Sequence, residues 1–215
     1  MSTRDKKNTK CPVINICVLA LIGLFSPNSF AIECDSVAFY GNPLIGNPVD
    51  ISKETISKSE SIRLEKLFRK MRGTWTGKGV KVECKGEKEN QKVFKNHADM
   101  KSSIEFSDEG RLRLENRIKS KKDNIERNEM LEYFLSESNF RAYFNNNESN
   151  VLHLKSDRNS TLFVIREDNP SVSGGRWVRD AHTTFSISGS TLLINFKLYI
   201  NGLLRSEIKW KLKKR

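Results

Sequence analysis

The three histidines are the side chains best suited to catalysis or metal binding, and none has the neighbours that either chemistry needs. His97 lies beside charged neighbours and His153 alternates with Val151 and Lys155, while His182 follows Asp180 at a spacing of two. On a strand this spacing places both side chains on one face, as an acid–base pair requires. No serine or cysteine lies within three residues of His182, and no metal-ligand spacing is present. We therefore expect no catalytic site, no metal and no cofactor, and interpret the histidines as surface or structural residues.

The cysteines indicate one disulfide rather than a reactive or metal-binding thiol. Cys11 and Cys17 lie in an apolar N-terminal run, and Cys34 and Cys84 lie beyond it. Two thiols in an oxidising compartment most simply form a disulfide. A Cys34–Cys84 bond closes a loop of about 50 residues and is expected to stabilise the fold by roughly 4 kcal/mol.

Residues 1–31 have the anatomy of a secretory signal peptide. A basic stretch, Met1 to Lys10, precedes an apolar run from Cys11 to Phe25, and Ser29-Phe30-Ala31 provides small residues at a cleavage site. The run is shorter than the roughly 20 residues of a membrane span, although an uncleaved anchor remains the alternative. We predict an exported protein, periplasmic in a bacterium and secreted otherwise.

Removing that segment changes the charge only slightly. The count of 38 Lys and Arg against 26 Asp and Glu falls to 34 against 25, a net charge of +9. A basic exported protein is attracted to anionic lipid or glycan of the cell envelope, and the export signal argues against nucleic acid as a partner. The oligomeric state is left open.

A short amphipathic helix is the first regular element that the sequence predicts. Residues 32–56 contain the turn formers Gly41-Asn42-Pro43 and Gly46-Asn47-Pro48, so we expect a loop segment tied down by the disulfide. Ser57 and Glu60 then fit a capping box that begins the 57–215 domain. The apolar residues of the helix follow at helical spacing: Leu64, Leu67, Phe68 and Met71.

From Thr74 onwards the apolar period is two, which is typical of strands. Short alternating runs separated by Gly- and Asn-containing turns continue to the end of the chain. We predict an all-β fold, an antiparallel up-and-down β-barrel of about 8–10 strands preceded by the helix. Across Gly77 and Gly79 the alternation shifts by one residue, which predicts a β-bulge in the first strand.

The last two strands form a predicted hairpin. Leu192, Ile194, Phe196, Leu198 and Ile200 share one face of the first strand, and Ile208, Trp210 and Leu212 share one face of the second. A two-residue turn at Asn201-Gly202 would set Leu198 against Arg205. We therefore expect a three-residue loop, 200–202, which pairs Leu198 with Leu204.

The helix, the motif Gly73-Thr74-Trp75-Thr76-Gly77-Lys78-Gly79 and the closing hairpin resemble the calycin group of lipocalins and fatty-acid-binding-protein-like barrels. The likeness extends from Leu64 to Arg215 and is nearest in pattern to nitrobindin-type haem-binding barrels. It implies that Trp75 packs at the closed end of a barrel. That family places a haem-ligating His near the start of the last strand, where this chain reads Leu204-Arg205-Ser206-Glu207-Ile208, so haem is not expected.

Two binding hypotheses follow. The aromatic residues at apolar strand positions are expected to line the interior around a small apolar ligand, unless side chains fill it: Trp75, Phe106, Tyr133, Phe144, Phe185, Phe196 and Trp210. Alternatively, a basic outer face meets an anionic envelope surface or a partner protein. We assign to this outer basic face Lys78, Lys81, Lys197, Lys209, Lys211 and Lys213. Solvated lysines that discourage edge pairing are the plainer interpretation.

Overall fold

The computed structural model describes residues 34, 36–38, 56–86, 90–137, 139–144, 147–170 and 176–215. The predicted signal peptide and most of the predicted 32–56 loop segment lie outside these ranges. Within them, no helix is long and apolar enough to cross a membrane.

Across the described ranges, one helix and ten antiparallel strands form the fold, as the sequence predicts. Each strand pairs with the next along the chain, and β1 also pairs with β10, so the up-and-down barrel is closed. The elements are α1 (Lys58–Met71), β1 (Gly73–Lys85), β2 (Lys92–Phe106), β3 (Arg111–Ser120), β4 (Glu126–Leu135), β5 (Phe140–Phe144), β6 (Asn147–Ser156), β7 (Ser160–Pro170), β8 (Arg176–Ser188), β9 (Thr191–Ile200) and β10 (Leu203–Lys214).

Helix α1 covers one end of the barrel, which we call the closed end. The capping box is present, because the Ser57 backbone N–H donates to Glu60 Oε2 at 3.1 Å and the Glu60 N–H donates to Ser57 Oγ at 3.3 Å. The four predicted apolar residues of the helix are all buried in the barrel core. Trp75 is also fully buried there, and its indole N–H donates to the Met71 carbonyl at 2.7 Å. This bond ties the end of the helix to the first strand.

The predicted β-bulge in β1 is wrong, since Gly73–Lys85 pairs with both neighbours without a register shift. Gly77 and Gly79 instead face the interior, at positions where any side chain would collide with β10. A Cβ on Gly79 would lie 2.1 Å from Cε3 of Trp210, and one on Gly77 would lie 2.0 Å from the Lys211 carbonyl oxygen. The glycines therefore allow β10 and its tryptophan to approach β1 closely.

The expected three-residue loop of the last hairpin is also wrong. Asn201 and Gly202 form a two-residue turn with φ values of 52° and 79°, as type I′ geometry requires. Arg205 is an extra residue in β10 that restores the apolar alignment, so Leu198 lies opposite Ser206 rather than Leu204. A bulge just after the turn thus resolves the mismatch that argued against the short turn.

A short N-terminal stretch covers part of the outside of the barrel. The predicted disulfide joins Cys34 to Cys84, with 5.8 Å between the Cα atoms. The Leu204 N–H donates to the Ser36 carbonyl at 3.0 Å, and the Ala38 N–H donates to the Gly202 carbonyl at 2.8 Å. Ala38 packs there in a second apolar cluster, outside the barrel wall, with Val164, Tyr199 and Leu204.

Candidate ligand-binding cavity

The half of the barrel interior nearest α1 is filled with aromatic side chains. Tyr133 lies 5.1 Å from Phe163 and 5.9 Å from Phe185 between ring centroids, in edge-to-face arrangements. Phe68 reaches into the same cluster from the helix and lies 5.7 Å from Phe106. Such contacts are typical of a packed core.

The other half contains a cavity of about 380 Å³ towards the end of the barrel away from α1, which we call the open end. Phe196, Ile208 and Trp210 are only partly buried, because their side chains face this space. The apolar part of the lining consists of Met100, Leu114, Ile118, Met130, Leu131, Tyr133, Phe185, Ile194, Phe196, Ile208 and Trp210. A concave, mostly aromatic and aliphatic lining is typical of small-molecule sites.

Two buried polar side chains interrupt the apolar lining. Asn116 on β3 is 6% exposed and Thr183 on β8 is 3% exposed. Asn116 Oδ1 and Thr183 Oγ1 have no hydrogen-bond partner among the described residues. In the strand order of the barrel, β3 and β8 stand on opposite walls. A buried polar atom without a partner costs about 1–3 kcal/mol, and a ligand with a hydrogen-bonding group would remove that cost.

The rim of the open end carries paired charges. On β4, Arg127 Nε lies 2.9 Å from Glu129 Oε1, and on β1 Lys81 forms an ion pair with Glu83. The hydrogen bond from Lys81 is the largest cause of the lowered pKa of the Glu83 carboxyl, and Arg127 lowers it further from across the rim. Each of these two pairs joins one positive and one negative side chain.

The predicted interior aromatics divide between the two halves. Tyr133, Phe185, Phe196 and Trp210 line the cavity, whereas Trp75 and Phe106 belong to the packed core at the closed end. The seventh, Phe144, has a side chain outside the described part of the structure.

Sequence reasoning missed Asn116 and Thr183. A signal for Asn116 was present, because it occupies the apolar parity of its strand between Leu114 and Ile118. A polar residue at an inward position marks a place where a buried hydrogen bond is needed or a ligand supplies one.

The outer basic face is smaller than predicted. Lys81 points into the barrel, because the absent bulge leaves it on the same side of β1 as Gly79. Lys197 and Lys209 both lie near Glu207, whose carboxylate oxygens are 3.8 and 3.1 Å from their ammonium nitrogens. Lys78, Lys211 and Lys213 remain exposed on the outer surface of β1 and β10.

Asp180 and His182 share the outer face of β8, as predicted, but they are not an acid–base pair in a cleft. Asp180 is fully buried and accepts two hydrogen bonds from the Arg166 guanidinium, at 2.7 and 2.9 Å. The His182 ring lies 4.5 Å from the Tyr199 ring. Both side chains therefore belong to packing outside the barrel wall, while the cavity lies inside it. Within the described ranges, no group of His, Cys, Asp and Glu side chains is arranged to hold a metal ion.

Tyr133 makes the stability of the fold depend on pH in the alkaline range. Burial raises the pKa of its phenol well above the ordinary value of about 10. The neutral phenol therefore stabilises the fold fully below about pH 10, and this contribution is lost as the pH rises towards the folded pKa. In urea unfolding at a series of alkaline pH values, Tyr133→Phe should lose stability less steeply than the unaltered protein, by up to about 1.4 kcal/mol per pH unit. Equal slopes would show that Tyr133 ionises within the fold.

Comparison with known proteins gives no argument for a family or a function. No protein-family model matches the chain, and no curated protein matches its sequence. Among solved structures it is similar to the one described as "Crystal Structure of Rv2717c from M. tuberculosis", at 10% identity and a TM-score of 0.41. That match covers 71% of this chain and 94% of the other. The likeness carries no information about function.

Proposed function

We propose that this protein is an exported binding protein that holds a small, mostly apolar molecule in the open half of its barrel. The molecule fills the aromatic and aliphatic cavity and offers a hydrogen-bonding group to Asn116 or Thr183. No catalytic step is assigned to it. Export is part of the proposal and rests on the signal-like N-terminus and on the disulfide.

One observation carries the proposal: an apolar cavity of about 380 Å³ that contains two buried polar atoms without hydrogen-bond partners among the described residues. A barrel evolved only to fold would gain stability by filling this space or by making both positions apolar. Retaining the space and the polar atoms costs free energy that binding a ligand would recover.

The resemblance to calycin barrels agrees with this proposal, since those barrels hold small molecules in their interior. Haem is not part of it, because 204–208 contains no His. The alternative, an anionic partner on the outer basic face, has weaker support, because Glu207 neutralises part of that face and Lys81 lies inside.

Filling the cavity should abolish binding without unfolding the barrel. Ile208 lies in the cavity wall and is partly exposed, so a larger side chain at this position extends into the empty space. We expect Ile208→Trp to weaken the binding of an apolar fluorescent dye at least about tenfold, since the dye loses its contact area. The measurement is a fluorescence titration of the dye with each protein.

Leu193→Trp is the matched control, because Leu193 is on the outer side of the neighbouring strand β9 and is 45% exposed. It adds the same side chain outside the barrel and should leave dye binding unchanged. Dye binding that is equal in all three proteins would place the dye outside the cavity and contradict the proposal.

A further inference from the structure

A basic surface lies outside the closed end, away from the cavity. Four basic side chains of α1 and one from the turn between β6 and β7 line a single shallow groove. They are Arg63, Lys66, Arg69, Lys70 and Arg158, and we call them the closed-end basic cluster. None of the described residues that line the groove is acidic.

Most of this positive charge is not neutralised. Arg69 is the exception, since it pairs with Glu65 at 2.9 Å and with Asp108 at 3.3 Å. Lys70 donates only to neutral oxygens, Asn159 Oδ1 at 2.9 Å and the Arg158 carbonyl at 3.3 Å.

The remaining three members, Arg63, Lys66 and Arg158, have no ion pair with any described carboxylate. The Ser57 hydrogen bonds lower the pKa of the Glu60 carboxyl and Arg63 lowers it further, so part of the Arg63 charge is directed to that group. The charges of Lys66 and Arg158 are available to an external anion.

We propose that the closed-end basic cluster docks the protein on an anionic phospholipid membrane. Arg63, Lys66 and Lys70 follow one another at spacings of three and four, so they form a stripe about 10 Å long on one side of the helix. One phosphate group cannot reach the whole stripe and Arg158 as well, whereas a surface of many lipid phosphates can.

The buried apolar face of α1 determines how the protein can attach to a membrane. The apolar stripe of α1 is already buried in the barrel, so the helix cannot insert it among lipid chains. Attachment is electrostatic, reversible and sensitive to salt. Because the cluster is at the closed end, a docked protein keeps its open end free to exchange a ligand.

Vesicle sedimentation tests this inference with vesicles of phosphatidylcholine alone and of phosphatidylcholine mixed with phosphatidylglycerol. We expect the protein to bind only the mixed vesicles and to dissociate as salt is raised. The triple variant R63Q/K66Q/R158Q should weaken binding by about fivefold per charge, on the order of 100-fold in all. Lys70 is kept because it makes hydrogen bonds within the fold. Unchanged thermal unfolding of the variant verifies its folding.

The matched control is K78Q/K211Q/K213Q, which removes the same charge from the outer basic face. It should retain binding within a few-fold. Equal losses in the two triple variants would show that only net charge matters, and a larger loss in the control would assign binding to the outer face. Absence of binding to mixed vesicles at low salt would also overturn the inference. So would displacement by inorganic phosphate at an ionic strength where chloride has no effect, because a free phosphate would then be the ligand.

Discussion

Replacing Cys34 and Cys84 together with serine is expected to lower the free energy of unfolding by about 4 kcal/mol. The disulfide closes a loop of 50 residues, and its loss enlarges the unfolded ensemble. It also releases the stretch that bonds to Gly202 and Leu204 and covers the apolar cluster around Tyr199. Urea unfolding of the protein and of the double variant measures the difference.

A reductant provides the control for this prediction. It should destabilise the unaltered protein by a similar amount and leave the C34S/C84S variant unchanged. The prediction fails if the double variant unfolds at the same urea concentration as the oxidised protein, because the bond would then constrain nothing that matters to stability.

Gly77→Ala is expected to destabilise the barrel by about 3 kcal/mol, although it adds one methyl group. The new Cβ would lie 2.0 Å from the Lys211 carbonyl oxygen and 2.8 Å from the Leu212 Cα. Both are backbone atoms of β10, so the clash cannot be relieved by turning a side chain. The strands must separate at the pairing that closes the barrel.

Gly189→Ala is the comparison for that substitution, since a Cβ at Gly189 meets no atom within 4 Å. Its φ of 55° makes alanine cost about 1 kcal/mol there. Thermal or urea unfolding of the two variants should therefore differ by about 2 kcal/mol. A Gly77→Ala protein as stable as Gly189→Ala would mean that β1 and β10 are not packed as closely as described.

The sequence predicted the helix, its capping box, the barrel and the disulfide because each depends on local spacing or on simple pairing. The side of β1 that faces inward could not be read from period two alone. Val82 and Cys84 are apolar yet buried outside the barrel, where the disulfide lies, so both faces of β1 carry buried residues. The alternation that shifts across Gly77 and Gly79 continues through Val82 and Cys84, which would place both residues inside the barrel. That interpretation produced the incorrect β-bulge and placed Lys81 outside.

The register of the last hairpin also depended on a feature that the apolar pattern does not reveal, the β-bulge at Arg205. Asn201-Gly202 indicated the correct turn, and the bulge at Arg205 that makes it compatible with the apolar pattern has no sequence signature of its own. The cavity depends on how large side chains from ten strands fill a volume, which is a three-dimensional property. The aromatic residues of the site were predictable from the sequence. Asn116 was predictable as well, because it occupies an inward position of its strand between Leu114 and Ile118.

We propose above that the open half of the barrel binds an apolar molecule with a hydrogen-bonding group. The most direct measurement is displacement of the bound dye by a medium-chain primary alcohol and by the alkane of the same chain length. We predict that both compete and that the alcohol binds about tenfold more tightly, because its hydroxyl pairs with Asn116 or Thr183.

In the variant N116L/T183V this preference should disappear, while the ligand-free protein should become equally or more stable. If neither molecule displaces the dye, the cavity is not a ligand site. If the unaltered protein binds the alkane as tightly as the alcohol, the two polar side chains do not recognise a ligand. Each of these two results would contradict the proposed binding of an apolar molecule with a hydrogen-bonding group.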